Sequence, residues 1–293
     1  MSKQHTRPRP LPASLGLPRT GVDSHAHLDS EELWPDFEGV LERAADAGVA
    51  RIGQVFLGHA AYLARREVMA ARPELFFILG VHPSDGLTLD GREADEWRAM
   101  AGDFQSDDRL RAVGEIGLDY HWPDCPPEVQ NRIFRAQLRL ARELDRPVVV
   151  HSRDAFADTL TVLDEEGFVG RPLLWHCFGG DAAAAGAVLE RGWHISVPGP
   201  VTYPANSALR EAVRLIPADR LLLETDCPYL APKPLRGTRN EPALSVCTAD
   251  AVAFERGEDP AELWTCLLYT SCSLLPWIMV YKVYGQSGAV SGR

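Results

Sequence analysis

Short apolar runs recur along the chain at intervals of roughly 25 to 35 residues, and each is followed by a stretch with helical spacing. The runs centre on residues 20–23, 50–57, 75–81, 110–116, 147–150, 172–175, 193–197 and 220–224. Runs such as "VVV" before His151 and "LLLE" before Thr225 show no polar alternation, the pattern of parallel strands covered on both faces. Between the runs the period changes. In residues 129–144, Val129, Ile133, Phe134, Leu138, Leu140, Ala141 and Leu144 recur among arginines, which predicts an amphipathic helix. Eight strand–helix units in about 240 residues predict an α/β fold of the (β/α)8 TIM-barrel type. A doubly wound sheet would need a glycine-rich turn after its first strand, and residues 24–29 contain no G-x-G-x-x-G.

The barrel reading places functional residues at the carboxyl ends of strands. His25 and His27 end the first run, His82 the third, Glu115 the fourth, His151 the fifth, His176 the sixth and Asp226 the eighth. Seven ligand-type residues at strand ends form a constellation that chance placement does not produce.

Composition narrows the field. The 293 residues are 45% hydrophobic and 24% charged, an ordinary globular balance. The net charge of −11 argues against coating nucleic acid by bulk positive charge but leaves room for a local grip, above all with bound metal. The six cysteines include no C-x-x-C pair and read as reduced thiols of a cytoplasmic protein. Residues 1–20 lack the apolar core of a secretory signal.

His25-x-His27 sets two imidazoles on one side of an extended segment, where both can face one metal ion. Asp23 either orients a histidine ring or caps a loop. Glu115 lies between close glycines in Val113 to Tyr120, and a carboxylate there can bridge two divalent ions. The only lysines are Lys3, Lys233 and Lys282, so a carboxylated lysine has no place near the strands and any bridge falls to Glu115. His151 and His176 each follow an apolar run, and Asp226 is placed to ligate and to accept a proton from the attacking water. The chemistry this set predicts is metal-assisted hydrolysis, with two divalent ions (magnesium, manganese or zinc) about 3.5–4 Å apart.

Further residues fall on the same rim. Arg153 is two residues past His151 and either pairs with a substrate phosphate or with Asp154 or Asp158. His82 either contacts substrate or is pinned in the turn before Pro83. Tyr120 and Trp122 either stack a base or pack the loop. Lys233, Arg236 and Arg239 form a basic cluster that would steer an acidic substrate.

Assembled in order, "DSHAHLD" (23–29), "GVHP" (80–83), "VGEIGLDYHW" (113–122), "VVVHSRDAF" (148–156), "HCFGG" (176–180), "LLLETDCPYLAP" (221–232) and "RGTRNEP" (236–242) resemble the TatD family of metal-dependent hydrolases over about residues 19–263. The resemblance implies an amidohydrolase-type barrel. It implies one metal held by His25, His27, Glu115 and Asp226, and a second by Glu115, His151 and His176. Asp226 and Glu115 are the expected catalytic residues, and the resemblance implies hydrolysis of DNA, single-stranded or at 3′ ends, including exonuclease action from a 3′ end. The alternatives are an ester hydrolase such as a D-aminoacyl-tRNA deacylase, or a metal-binding barrel left inactive by its carboxyl end.

That end departs from the family. Asp259 and Pro260 read as a capped helix start, but residues 265–293 contain no Asp or Glu and a single Ala. The uncharged stretch 263–281 approaches the length of a membrane span, yet its Thr, Ser, Pro and Cys residues make it a poor one, and no membrane partner is expected. The expected division is an extension, 1–18, a barrel, 19–263, and an atypical tail, 264–293, that leaves the last barrel helix incomplete.

Overall fold

A computed structural model describes residues 12–274 apart from residue 90. The eight apolar runs form strands β1 Gly21–Ala26, β2 Val49–Leu57, β3 Leu75–Gly80, β4 Leu110–Asp119, β5 Val148–Arg153, β6 Leu173–Trp175, β7 His194–Val197 and β8 Leu221–Leu223. Each pairs in parallel with the next in chain order. Helices α1 Phe37–Asp46, α2 His59–Ala70, α3 Glu93–Ser106, α4 Pro127–Glu143, α5 Phe156–Glu165, α6 Ala182–Glu190 and α7 Ser207–Val213 supply the seven crossovers, and α8 Ser245–Arg256 and α9 Pro260–Leu274 follow the last strand. The ring is nearly closed. At the seam, Asp226 N donates to His25 O (3.0 Å) and His27 N to Cys227 O (2.9 Å), flanking a single bridge between Ala26 and Cys227.

Val22, Val55, Phe76, Ile78, Ala112, Val149, Leu174 and Leu222 form a buried cluster drawn from strands alone, which fills the barrel interior. A larger layer joins the outer strand faces to the helices. Alternation then aims the site: His151 lies two residues above Val149, His176 two above Leu174, and Glu224 two above Leu222. His25 and Glu115 break this parity, and both fall where strand pairing shifts register, between Asp23 and Ala26 and between Val113 and Ile116. Such irregularities re-aim a side chain without ending the strand.

Helix α4 begins at Pro127 and buries Ile133, Phe134, Leu138, Leu140 and Ala141, while Arg135 and Arg139 pair with Glu166. Two glutamines on its buried face hold strand ends. Gln137 bonds Val81 N (2.7 Å) and Val81 O (3.0 Å), and Gln130 bonds Asp119 N and Asp119 O at 2.8 Å each. The helix thereby positions the segments carrying His82 and Asp119.

The expected boundary after residue 263 falls inside α9. Asp259 Oδ1 caps the helix by accepting from Ala261 N (2.9 Å) and Glu262 N (3.1 Å), and the helix continues to Leu274. Leu263, Trp264, Leu267 and Thr270 are buried. Trp264 lies under β1, its Nε1 donating to Pro18 O (3.0 Å) and Gly48 O (3.2 Å). A Cβ on Gly21 would stand 1.8 Å from the Trp264 ring, so glycine there is what admits the indole. The rest of the expected tail, 275–293, and most of the expected extension, 1–11, lie outside the described residues. Among the described residues no helix is long and apolar enough to cross a membrane.

Candidate metal centre

Glu115 is buried at the upper end of the barrel and presents its two oxygens to two groups of ligand-type atoms. Oε1 is 3.4 Å from His27 Nε2 and 3.7 Å from His25 Nε2. Asp226 Oδ1 joins that group, 3.4 Å from His27 Nε2 and 3.8 Å from His25 Nε2. Glu115 Oε2 is 2.8 Å from His176 Nε2 and 3.2 Å from His151 Nδ1, and those two nitrogens are 3.2 Å apart. The close approach of β4 to β5 rests on Gly117, whose Cβ would fall 1.8 Å from His151 O.

The donor set fits divalent cations. Both ring nitrogens of His25 are buried without a hydrogen-bond partner, and separations of 3.4–3.8 Å suit atoms that share a cation at about 2.0–2.2 Å. His151 and His176 turn like atoms toward one carboxylate oxygen, an arrangement that calls for positive charge between them. Protons supply it otherwise. Burial opposes ionisation of Glu115, yet the neighbouring His176 and His25 hold its carboxylate well below the usual range. Burial likewise opposes charge on His27 and His176, but Asp226 and Glu115 push His27 up to about 9, and Glu115 and Glu224 raise His176. Metal binding would displace these protons.

Partners behind the cluster orient the rings. His151 Nε2 is 3.0 Å from Asp119 Oδ2, which fixes Nδ1 as the inward nitrogen. His176 Nδ1 is 3.5 Å from Glu224 Oε1, and that oxygen also accepts from Cys177 N at 2.7 Å. Asp23 has no histidine ring as a partner among the described residues; it accepts from Thr225 N (2.9 Å) and Thr225 Oγ1 (2.6 Å), tying β1 to the end of β8. Burial raises its carboxyl to about 8.

The site opens into a cavity of 1510 Å³. The sequence profile of the family described as "TatD related DNase" matches residues 22–275. The chain belongs to the TatD family. It is 39% identical over 245 residues to the uncharacterized metal-dependent hydrolase YcfH of Escherichia coli (strain K12), covering 83% of this chain and 90% of that one. It is 36% identical over 254 residues to the 3'-5' ssDNA/RNA exonuclease TatD of Citrobacter rodentium, covering 82% and 92%. The crystal structure of YJJV, a TatD homolog from Escherichia coli K12, superposes with a TM-score of 0.80 at 29% identity over 88% of this chain and 98% of that one.

In this TatD-family barrel the residues expected to meet substrate divide into two sets. His82, Trp122 and Arg153 line the cavity. His82 packs edge-on against His151 with centroids 4.5 Å apart, and its Nδ1 accepts from Ser84 N at 3.2 Å. Arg153 is exposed and has no carboxylate within ion-pairing distance among the described residues, because Asp154 pairs with His121 and Asp158 with Tyr120. Tyr120, Lys233, Arg236 and Arg239 are absent from the cavity wall. Tyr120 is tied to Asp158 at 2.9 Å, Arg236 stacks over Tyr203 at 4.4 Å, and Arg239 bonds Asp36 Oδ2 and Glu32 O at 3.0 Å each. Arg236 and Arg239 are therefore engaged in holding that loop to the body.

Three residues that the sequence reading did not single out stand in or beside the site: Asp119 and Glu224 behind the candidate ligands, and Tyr229 in the cavity wall. Asp119 follows Glu115 by four residues on one strand, and Glu224 precedes Asp226 by two, so strand periodicity alone would have flagged both carboxylates.

Proposed function

We propose that this chain is a divalent-metal-dependent nuclease that hydrolyses phosphodiester bonds of single-stranded nucleic acid from the 3′ end. The observation that carries this reading is the division of Glu115 between two ligand groups, Oε1 toward His25, His27 and Asp226, and Oε2 toward His151 and His176. Magnesium, manganese or zinc held there in two ions would lower the pKa of the attacking water and neutralise charge on the scissile phosphate.

The chain's own groups account for the rest. Burial opposes ionisation of Asp226, but His27 and His25 hold its carboxyl below the usual range, so it stands as the anion, the form that a general base requires. Its Oδ2, 3.9 Å from Cys177 Sγ, is the oxygen turned away from His27. As water attacks phosphorus, this carboxylate takes the water's proton, the new P–O bond forms, and the ester P–O bond breaks with its electrons leaving on the departing oxygen, which takes a proton from solvent. Arg153 is the one arginine or lysine lining the cavity among the described residues, and it binds a phosphate oxygen. A cavity larger than the usual 300–1,000 Å³ small-molecule pocket favours a polymer over a small ester. The name of the Citrobacter relative supports the polarity and the strandedness.

The test is digestion of a 5′-labelled single-stranded oligonucleotide in magnesium, manganese or zinc, beside a D-aminoacyl-tRNA substrate. The expected result is a ladder shortened from the 3′ end, two metal equivalents per chain, and a kcat loss in Asp226→Asn that exceeds its loss of metal. Cleavage of the aminoacyl ester with intact oligonucleotide would replace the nuclease by a deacylase. Cleavage of neither, by a metal-loaded protein, would favour an inactive barrel.

A further inference from the structure

Exposed aromatic rings are few on this molecule. Among the described residues Trp, Tyr and Phe side chains classed as exposed are Trp122 (50%), Tyr229 (57%) and Phe254 (46%). Two of the three, Trp122 and Tyr229, line the one cavity that holds the Glu115 cluster. Leaving two large rings in water around a charged floor has no packing benefit, and it suits a ligand with both planar faces and negative charge.

Their positions are complementary. Trp122 follows β4, with the Arg153 guanidinium from β5 at 5.6 Å from its ring. Tyr229 follows β8, with its ring 6.4 Å from that of His27 at the end of β1. In a ring of eight strands taken in order, the β4–β5 side faces the β8–β1 side. The two aromatics thus stand across the mouth from each other, with the ligand groups between and below them.

Both are held in place before any ligand arrives. Asp119 Oδ1 accepts from His121 N (2.9 Å) and Trp122 N (3.4 Å), and the His121 ring packs edge-on to Trp122 at 4.9 Å. On the other side the buried Asn240 donates through Nδ2 to Tyr229 O (2.6 Å) and Thr225 O (2.8 Å). Tyr203 OH donates to Ala231 O at 2.8 Å, pinning the far end of that loop.

We propose that Trp122 and Tyr229 are stacking platforms for the two nucleobases on either side of the scissile phosphate, one base per rim. This rests on the nuclease reading above. Two neighbouring bases drawn to opposite rims are unstacked from each other and unpaired, so the platforms themselves select single strands over duplex. Stacking uses a face that every base possesses, so the selection is blind to sequence.

The experiment compares wild type with Trp122→Ala, Trp122→Phe, Tyr229→Ala and Tyr229→Phe. The substrates are three single-stranded oligonucleotides: one intact, one abasic on the 5′ side of the terminal phosphodiester, and one abasic on its 3′ side. Each alanine variant should raise KM on the intact strand about tenfold, the loss of one stacked base. Each phenylalanine variant should stay within a few-fold of wild type, which also reports that the loop folds. The penalty of each alanine variant should vanish on one abasic substrate, a different one for each residue. Equal penalties on intact and abasic strands, unchanged KM, or both penalties vanishing on the same substrate would overturn the platforms while leaving the nuclease in place. A wild type that cleaves no oligonucleotide overturns the nuclease reading, and the platforms fall with it.

Discussion

His151 turns Nδ1 toward Glu115 at 3.2 Å because its Nε2 is held 3.0 Å from Asp119 Oδ2. The same carboxylate caps the amides of His121 and Trp122 with its other oxygen, so one buried side chain sets both a ligand nitrogen and a rim loop. Gln130 in turn fixes the Asp119 backbone from α4. Asp119→Ala should therefore weaken divalent-metal affinity by about 10–100-fold, as loss of a ligand's orienting partner does. Isothermal titration of the metal-free protein with manganese measures it; unchanged affinity would show that packing alone orients His151.

Glu115→Ala should cost turnover roughly 10⁴-fold or more, on the scale of removing one member of a catalytic unit. Metal content should fall below that of wild type while far-UV circular dichroism stays unchanged. A variant that keeps half its activity and full metal content would exclude the bridging role.

A pH effect is expected far from the metal cluster. Burial, with the Arg220 guanidinium nearby, pushes His194 down to about 4, so the folded protein keeps it neutral where the unfolded chain, near 6.5, takes up a proton. In that window the unfolded state binds more protons, so stability falls as pH drops from about 6.5 toward 4 and is flat above. The full shift is worth about 3 kcal/mol at most. Urea denaturation of wild type and His194→Gln across pH 4–7 measures it, and the variant should show the shallower slope.

Trp264→Ala should destabilise the barrel by about 3–5 kcal/mol, the usual cost of emptying a large aromatic site. Gly21→Ala should also destabilise it, because its Cβ would stand 1.8 Å from the indole. Combining Gly21→Ala with Trp264→Leu should cost less than the two single changes together, since they share one space. Chemical denaturation of Trp264→Ala, Gly21→Ala, Trp264→Leu and the double variant checks this, and strict additivity would count against the contact.

The eight strands were legible because doubly covered parallel strands carry unbroken apolar runs, and the candidate ligands stood out in the sequence because barrels keep chemistry at strand ends. His25 and Glu115 owe their aim to register shifts against β2 and β5, which depend on the neighbouring strands and leave no local mark. Partners distant in the chain hide in the same way. Arg239 looks free in its own loop, but its partner Asp36 lies 203 residues away in the chain. Composition marks the carboxyl end as atypical, but it says nothing of the space beside Gly21 that admits the Trp264 ring.

The seam between β1 and β8 has a consequence for biosynthesis. His25 and His27 lie near one end of the barrel sequence and Asp226 near the other, and they meet only when the last strand reaches the first. A nascent chain emerging from the ribosome exposes Glu115, His151 and His176 in turn, yet lacks Asp226 until the eighth strand has been translated. Chains released early by stalled translation therefore lack one candidate ligand and the seam that brings it to the others, and hydrolytic competence arrives with the barrel's closing stitch.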